Sequence, residues 1–266
     1  SSPGTRFSLS RLAVLVDTHC HLDAAEFDPD RAQVHAAAWQ SGIERIVVPA
    51  VTVNGFEKLK NTVAAYSGCV AAYGIHPLYV AQSRPDDLAS LCQWLKNERS
   101  VAVGEIGLDF YVDGLDPVQQ EIFFVEQLKL ARAFELPVIL HVRRSVDAVL
   151  KQLRRVRVPG GIAHAFNGSR QQAEEFIKLG FKLGFGGAMT YAGSTRIRAL
   201  AASLPLDALV LETDAPDMAP AWLSRGRNTP NELPRIAAVL AELRGQSIEE
   251  IVHQTTLNAR TALPGI

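Results

Sequence analysis

Cysteine is scarce in this chain. Only Cys20, Cys69 and Cys92 occur in 266 residues, and no two are spaced as a CxxC pair. An odd number of scattered thiols excludes a disulfide framework and points to reduced cysteines, hence to a cytoplasmic protein. Charge of one sign is also lacking: 27 basic and 28 acidic residues leave a net charge of −1. That excludes a protein that coats nucleic acid through a broad basic face, although not an enzyme that grips a short end. No run of 18 apolar residues occurs, so no transmembrane helix and no membrane partner is expected. The opening "SSPGTRFSLS" has no long apolar core of the signal-peptide kind. Residues 1–11 are expected to be an N-terminal extension outside the fold, and 12–266 a single domain. No linker, low-complexity segment or repeat divides the remainder, and no obligate protein partner is indicated.

What is present is a rhythm. Short β-rich apolar runs alternate with longer amphipathic stretches. The runs are "LAVLVDTHCH" (12–21), "RIVVPAV" (45–51), "CVAAYGIHP" (69–77), "VAVGEIGLD" (101–109), "PVILHV" (137–142), "GIAHAF" (161–166), "KLGFGGAMT" (182–190) and "ALVLETDAP" (208–216). Helical patterns such as 117–135 and 170–180 lie between them, the second with Gly180 where a helix-ending glycine belongs. Near-continuous apolar strands separated by helices imply a parallel sheet covered by helices. Eight such units in about 250 residues imply an α/β fold of the closed (β/α)8 TIM-barrel kind. The last two helical stretches, "NELPRIAAVLAELRG" and "SIEEIVHQTTLNARTAL", follow the eighth strand.

Polar residues gather at the carboxyl ends of these strands. His19 and His21 end the first, His76 the third, His141 the fifth and Asp214 the eighth. Glu105 and Asp109 lie on the fourth and His164 on the sixth. In a barrel these ends meet at one mouth, where active sites of this fold are built. His19 and His21 are two apart and share a face, with Asp17 and Asp23 beside them if the strand extends that far; Cys20 then faces the helices. A lone His-x-His is equally well a polar strand end, but further potential ligands at other strand ends favour a metal site. Glu105 in its apolar run needs a compensating cation, a metal or else Arg143 or Lys182. Arg143 shares the face of His141 and can enter the mouth, whereas Arg144 is expected to point away. Glu212, one layer below Asp214, is expected to orient a ligand. His35 and His253 read as ordinary helix histidines, and the cysteines as packing residues without a nucleophilic role.

The segments "DTHCHLD", "GIHP", "GEIGLDFY", "QLKLARAFELPVILHVRR", "HAFNGS" and "LETDAPDM" together resemble the TatD-type metal-dependent hydrolases and deoxyribonucleases, within the amidohydrolase-like barrels, and are most similar to the YjjV branch. The likeness runs from about residue 15 to the C-terminus. It implies a two-metal centre in which His19, His21 and Asp214 hold one ion, Glu105 bridges, and His141 and His164 complete the second. Asp214, beside the water, is the candidate proton acceptor. The loop after Asp214, with Arg225, Arg227 and Asn228, would line the substrate side, joined by His76 and Arg143. One departure stands out. Asn167 occupies a position where the family often has a hydroxyl residue, which bears on substrate contacts rather than on metal binding. Four histidines and two carboxylates suit Zn²⁺, Mn²⁺, Ni²⁺ or Fe²⁺, while the family's nucleases are described as Mg²⁺-dependent.

Two enzyme readings follow. One is a phosphodiesterase, an exonuclease on DNA or RNA ends; Phe110, Tyr111, Phe166, Tyr191 and Trp222 could stack bases or merely pack loops. The other is a hydrolase of small amides, lactones or phosphoesters. A metal-binding scaffold without activity is disfavoured, because six buried polar groups cost stability unless used.

Overall fold

The computed structural model describes residues 14–266. The expected extension at residues 1–11 and the first two residues of the first apolar run lie outside the described residues. Among the described residues eight strands alternate with helices: β1 (Leu15–Asp17), β2 (Ile43–Pro49), β3 (Cys69–Ala72), β4 (Val103–Asp109), β5 (Val138–Arg143), β6 (Gly161–Ala163), β7 (Phe181–Phe185) and β8 (Leu209–Leu211). The helices are α1 (Arg31–Gln40), α2 (Phe56–Ala65), α3 (Pro85–Asn97), α4 (Pro117–Phe134), α5 (Val146–Arg155), α6 (Arg170–Lys178), α7 (Thr195–Ser203), α8 (Leu233–Arg244) and α9 (Ile248–Ala262). Every named pairing is parallel, in the orders β1-β2-β3 and β4-β5-β6-β7-β8. Two seams join these sheets. Tyr73 bridges Val103, and Gly104 N–H donates to Tyr73 O at 3.0 Å. On the other side Thr18 N–H donates to Leu211 O at 3.2 Å. The result is the (β/α)8 barrel that the sequence rhythm implies.

Two apolar layers hold it. The larger packs the outer strand faces against the helices and includes Leu15, Cys20, Val48, Leu140, Leu183 and Leu211. The smaller lies within the barrel, where Val16, Val47, Ala72, Ile139, Ile162 and Val210 meet Ala259, Ala262 and Leu263 at the end of α9. This inner layer sets the site above it. Side chains two apart on a strand path share a face, so His141 follows Ile139, His164 follows Ile162, and Glu212 follows Val210 toward the mouth.

Strand lengths depart from the expectation. The first strand ends at Asp17 and not at residue 21. Asp17 is fully buried and accepts hydrogen bonds from Thr213 Oγ1 at 2.6 Å and Thr213 N at 3.0 Å, which ties β1 to the segment after β8. His76 lies four residues past β3, and Asp214 three past β8. His19, His21, His164 and Asp214 therefore lie just beyond their strands, whereas Glu105 and His141 lie within β4 and β5. Chain at the strand ends needs its backbone groups satisfied, and α4 does this twice. Gln127 accepts from Ile75 N at 2.7 Å and donates to Ile75 O at 3.1 Å. Gln120 clamps Asp109 in the same way, at 2.8 and 3.0 Å.

At the base of the barrel, Asn258 of α9 is 3% exposed and donates to Leu206 O at 2.8 Å and Leu209 O at 2.7 Å, just where β8 begins. Asn258→Ala strands two buried carbonyls and is expected to lower stability by about 1–3 kcal/mol, read from the denaturant midpoint at unchanged slope.

Candidate metal centre

The carboxyl ends of the strands open into a cleft of about 1300 Å³, whose lining includes His21, His76, Glu105, His141, His164 and Asp214. Glu105 sits at its floor, 2% exposed. Its Oε1 lies 3.1 Å from His19 Nε2 and 3.6 Å from His21 Nε2. Its Oε2 lies 3.2 Å from His141 Nδ1, 3.3 Å from His76 Nε2 and 4.0 Å from His164 Nε2. Asp214 closes the other side: Oδ1 is 3.4 Å from His21 Nε2 and 3.5 Å from His19 Nε2, and Oδ2 is 3.5 Å from His164 Nε2. Three overlapping sets arise, His19–His21–Asp214, His19–Glu105–His164 and His76–Glu105–His141, each with its ligand atoms within 4.8 Å of one another.

The partners of each ring determine which nitrogen faces the centre. Asp109 Oδ2 lies 2.7 Å from His141 Nε2, so Nε2 donates there and Nδ1 turns its lone pair inward. Glu212 Oε1 forms an ion-pair contact with His164 Nδ1 at 2.9 Å, without hydrogen-bond geometry, while His164 Nε2 faces the centre. His19 Nε2 and His21 Nε2 face each other at 3.3 Å. His76 differs. Its Nδ1 accepts from Leu78 N–H at 3.1 Å, so the neutral ring carries its proton on Nε2 and presents a donor to Glu105. Four imidazole lone pairs and two carboxylates thus converge, while the fifth imidazole brings a hydrogen. Once deprotonated, four imidazoles and two carboxylates have the chemistry of a cation site. His19 Nδ1, buried and without a hydrogen-bond partner, takes no part.

Charge in the cluster is compensated by protons that a metal would displace. Burial disfavours the charged form of every group here, yet at Glu105, Asp214, His21, His141 and His164 the neighbours prevail. The imidazoles of His76 and His19, with the His141 hydrogen bond, hold Glu105 ionised well below the usual range. His164 and His21 do the same for Asp214. Despite burial, the Asp214 hydrogen bond and the charges of Asp214 and Glu105 raise His21 to about 9. His141 and His164 rise too, each against burial: His141 by its bonds to Asp109 and Glu105, His164 by the charges of Glu212 and Asp214. His19 moves down, through burial and the charge of His164.

Of the residues singled out in the sequence, His19, His21, Glu105, His141, His164 and Asp214 come together. The alternative cations do not reach Glu105. Lys182 Nζ donates instead to Asp207 O at 2.7 Å, and Arg143 lies over the Tyr111 ring at 3.8 Å. The His19–His21 pair meets through the bend after Asp17, not through strand alternation. Arg144 corrects the expectation that it points away. It lines the cleft, 4.8 Å over Tyr111, because β5 ends at Arg143 and Arg144 turns with φ 51°.

The loop after Asp214 brings two further corrections. Arg227 is drawn off by Asp30, at 2.7 and 2.8 Å, and by Glu26 O at 3.0 Å. Asn228 is fully buried and donates to Thr213 O and Asp217 O, both at 2.9 Å, so it braces the Asp214 bend instead of facing the cleft. Arg225 lines a side pocket of about 460 Å³ with Tyr191 and Met218. Among the aromatics Phe110 and Tyr111 line the cleft half-exposed, Phe166 is buried against Phe176, and Trp222 packs under Arg235 at 4.2 Å. Sequence reading missed the bracing roles of Asp109, Gln120, Gln127 and Thr213. Only Asp109 carried a signal, as a carboxylate four residues after Glu105.

Residues 16–264 match the family model described as TatD related DNase. The chain belongs to the TatD family of metal-dependent hydrolases. It is 40% identical over 249 residues to the uncharacterized metal-dependent hydrolase YjjV of Escherichia coli (strain K12), covering 92% of this chain and 96% of that one. It is 32% identical over 255 residues to the 3′-5′ ssDNA/RNA exonuclease TatD of Klebsiella pneumoniae (strain 342), covering 93% and 97%. The crystal structure of Escherichia coli YjjV superposes with a TM-score of 0.91 at 39% identity, over 95% of this chain and 98% of the other. The TatD fold is thus matched along nearly its whole length, mouth included. No described helix is long and apolar enough to cross a membrane.

The raised imidazoles give a testable pH dependence for metal-free protein. His21 titrates near 9 when folded against an ordinary 6.5. Its contribution is therefore complete below 6.5 and lost as pH rises through about 9. Asp17, raised by burial to about 7, acts in the same direction. The melting temperature of EDTA-treated protein is expected to fall by a few degrees between pH 6 and 9.5. A saturating divalent ion, which needs deprotonated ligands, should abolish the His21 part of that fall.

Proposed function

We propose that this chain is a divalent-metal-dependent phosphodiesterase acting on DNA or RNA ends, with two ions held by His19, His21, Glu105, His141, His164 and Asp214. One observation carries the reading: imidazole lone pairs and two carboxylates converge at the floor of a cleft whose rim bears guanidiniums. Ions bound there would supply Lewis acidity, acidifying a water and offsetting charge on phosphoryl oxygens. The donor set suits Zn²⁺, Mn²⁺ or Ni²⁺ and admits Mg²⁺.

The chain's own groups divide the remaining work. Asp214, 17% exposed against 2% for Glu105, is the cluster carboxylate that a water from the cleft can reach. It is ionised at neutral pH and takes the proton from that water. Glu105, between the two sets of rings, would help hold both ions. His76 presents its Nε2 hydrogen to a phosphoryl oxygen, with Glu105 as its resting acceptor. Arg143, held flat on Tyr111, offers a planar fork of donors suited to phosphate. Phe110 and Tyr111, each over 40% exposed at the rim, provide faces on which bases can stack. A cleft built for neutral amides or lactones has no use for these cations. The exonuclease name of the Klebsiella pneumoniae relative agrees with this reading. The three free thiols suit a cytoplasmic enzyme.

The test is cleavage of end-labelled single-stranded and duplex oligonucleotides after EDTA treatment and after addition of Mg²⁺, Mn²⁺ or Zn²⁺. EDTA should abolish cleavage and at least one ion restore it. Asp214→Asn and Glu105→Ala should each lower kcat/KM on the order of 100-fold or more. Full activity in either variant would show the assignment to be wrong.

A further inference from the structure

Four surface arginines are paired with carboxylates among the described residues. Arg31 pairs with Asp28, Arg154 with Glu175, Arg170 with Glu174 and Arg227 with Asp30. Three others that line the cleft, Arg143, Arg144 and Arg196, have no carboxylate partner among the described residues. Two of these rest on Tyr111. Arg196 is held differently. Its Nε and Nη2 both donate to Asn167 Oδ1, at 3.1 and 2.7 Å. The acceptor is a neutral amide oxygen, so the side chain is fixed without losing its charge. Two of five N–H donors are spent and three remain for a ligand.

The placement is directional. Asn167 lies three residues beyond His164, on the same loop, and both line the cleft. Arg143 ends β5 and Arg144 follows it, Asn167 follows β6, and Arg196 follows β7. They form one wall, on which the acid Asp147 accepts from Gln172 Nε2 at 3.0 Å. The facing wall, after β1 and β8, carries Asp23, Glu26 and Asp217. A polyanion is attracted to the first wall and repelled by the second.

We propose that Arg196, presented by Asn167, is a phosphate-binding residue. With Arg143 it selects substrates that carry a second phosphate beside the scissile one, an oligonucleotide instead of an isolated diester. The inference rests on the phosphodiesterase reading above. Asn167 is a positioning residue that acts through Arg196.

The experiment compares two substrates with the metal-loaded enzyme: bis(p-nitrophenyl) phosphate, with one phosphate, and a single-stranded oligothymidylate. The quantity read is the ratio of kcat/KM on the oligonucleotide to that on the small diester. Arg196→Ala is expected to lower this ratio about tenfold, mainly through the oligonucleotide KM, and Arg196→Lys less. Asn167→Ala should lower it less than Arg196→Ala, and should add nothing in the Arg196→Ala background. Oligonucleotide affinity of EDTA-treated protein, read by fluorescence anisotropy, should weaken in the same order. An unchanged ratio in Arg196→Ala, with the small diester still cleaved, overturns the inference and leaves the phosphodiesterase reading standing. Failure of wild-type protein to cleave either substrate overturns both.

Discussion

A carboxylate buried at the floor of a barrel mouth, with imidazoles on both its oxygens, is the constraint around which this molecule is arranged. Glu105 is 2% exposed and lies within 3.3 Å of ring nitrogens from His19, His76 and His141. Burial of such a charge is costly unless it is compensated. No arginine or lysine reaches it among the described residues, so the compensation comes from protons on the rings or from metal in their place. Either state keeps positive charge beside Glu105 and Asp214, and the two interconvert by exchange of protons for metal. This couples ion binding to pH and to stability.

The rings can serve two roles only because a second layer fixes their orientation. Asp109 holds His141 and Glu212 holds His164. Asp17 and Thr213 join the bend that carries His19 to the one that carries Asp214. Space is arranged for this too: a Cβ on Gly184 would approach Glu212 Oε2 to 2.4 Å, so that carboxylate can occupy its place only beside a glycine. Asn228, expected to face substrate, belongs to the same bracing, since its amide ties Thr213 to Asp217 across the loop.

The barrel and the six cluster residues were legible because both follow from periodicity. The βα rhythm fixes which chain ends meet, and polar residues after apolar runs mark the mouth. What failed depended on contacts that sequence spacing does not encode. Strand length was overestimated at β1 because "DTHCH" continues an apolar run without a turn residue, although the chain bends after Asp17. Arg143, at the end of β5, and Arg227, in the loop after Asp214, look alike as basic residues on the mouth side. They differ because Asp30, 197 positions away from Arg227, neutralises one of them. Arg196 was invisible for the converse reason. It sits in an ordinary helix start; its partner is a neutral side chain 29 residues earlier, and no acidic one pairs with it among the described residues.

We propose that the cluster holds two ions with Glu105 shared between them. The direct measurement is metal stoichiometry: EDTA-stripped protein titrated calorimetrically with Zn²⁺ or Mn²⁺, with bound metal counted by elemental analysis after gel filtration. Two ions per wild-type chain, falling to one or none in Glu105→Ala while the fold is retained, is the predicted result. A single ion in the wild type, or two retained without Glu105, would contradict it.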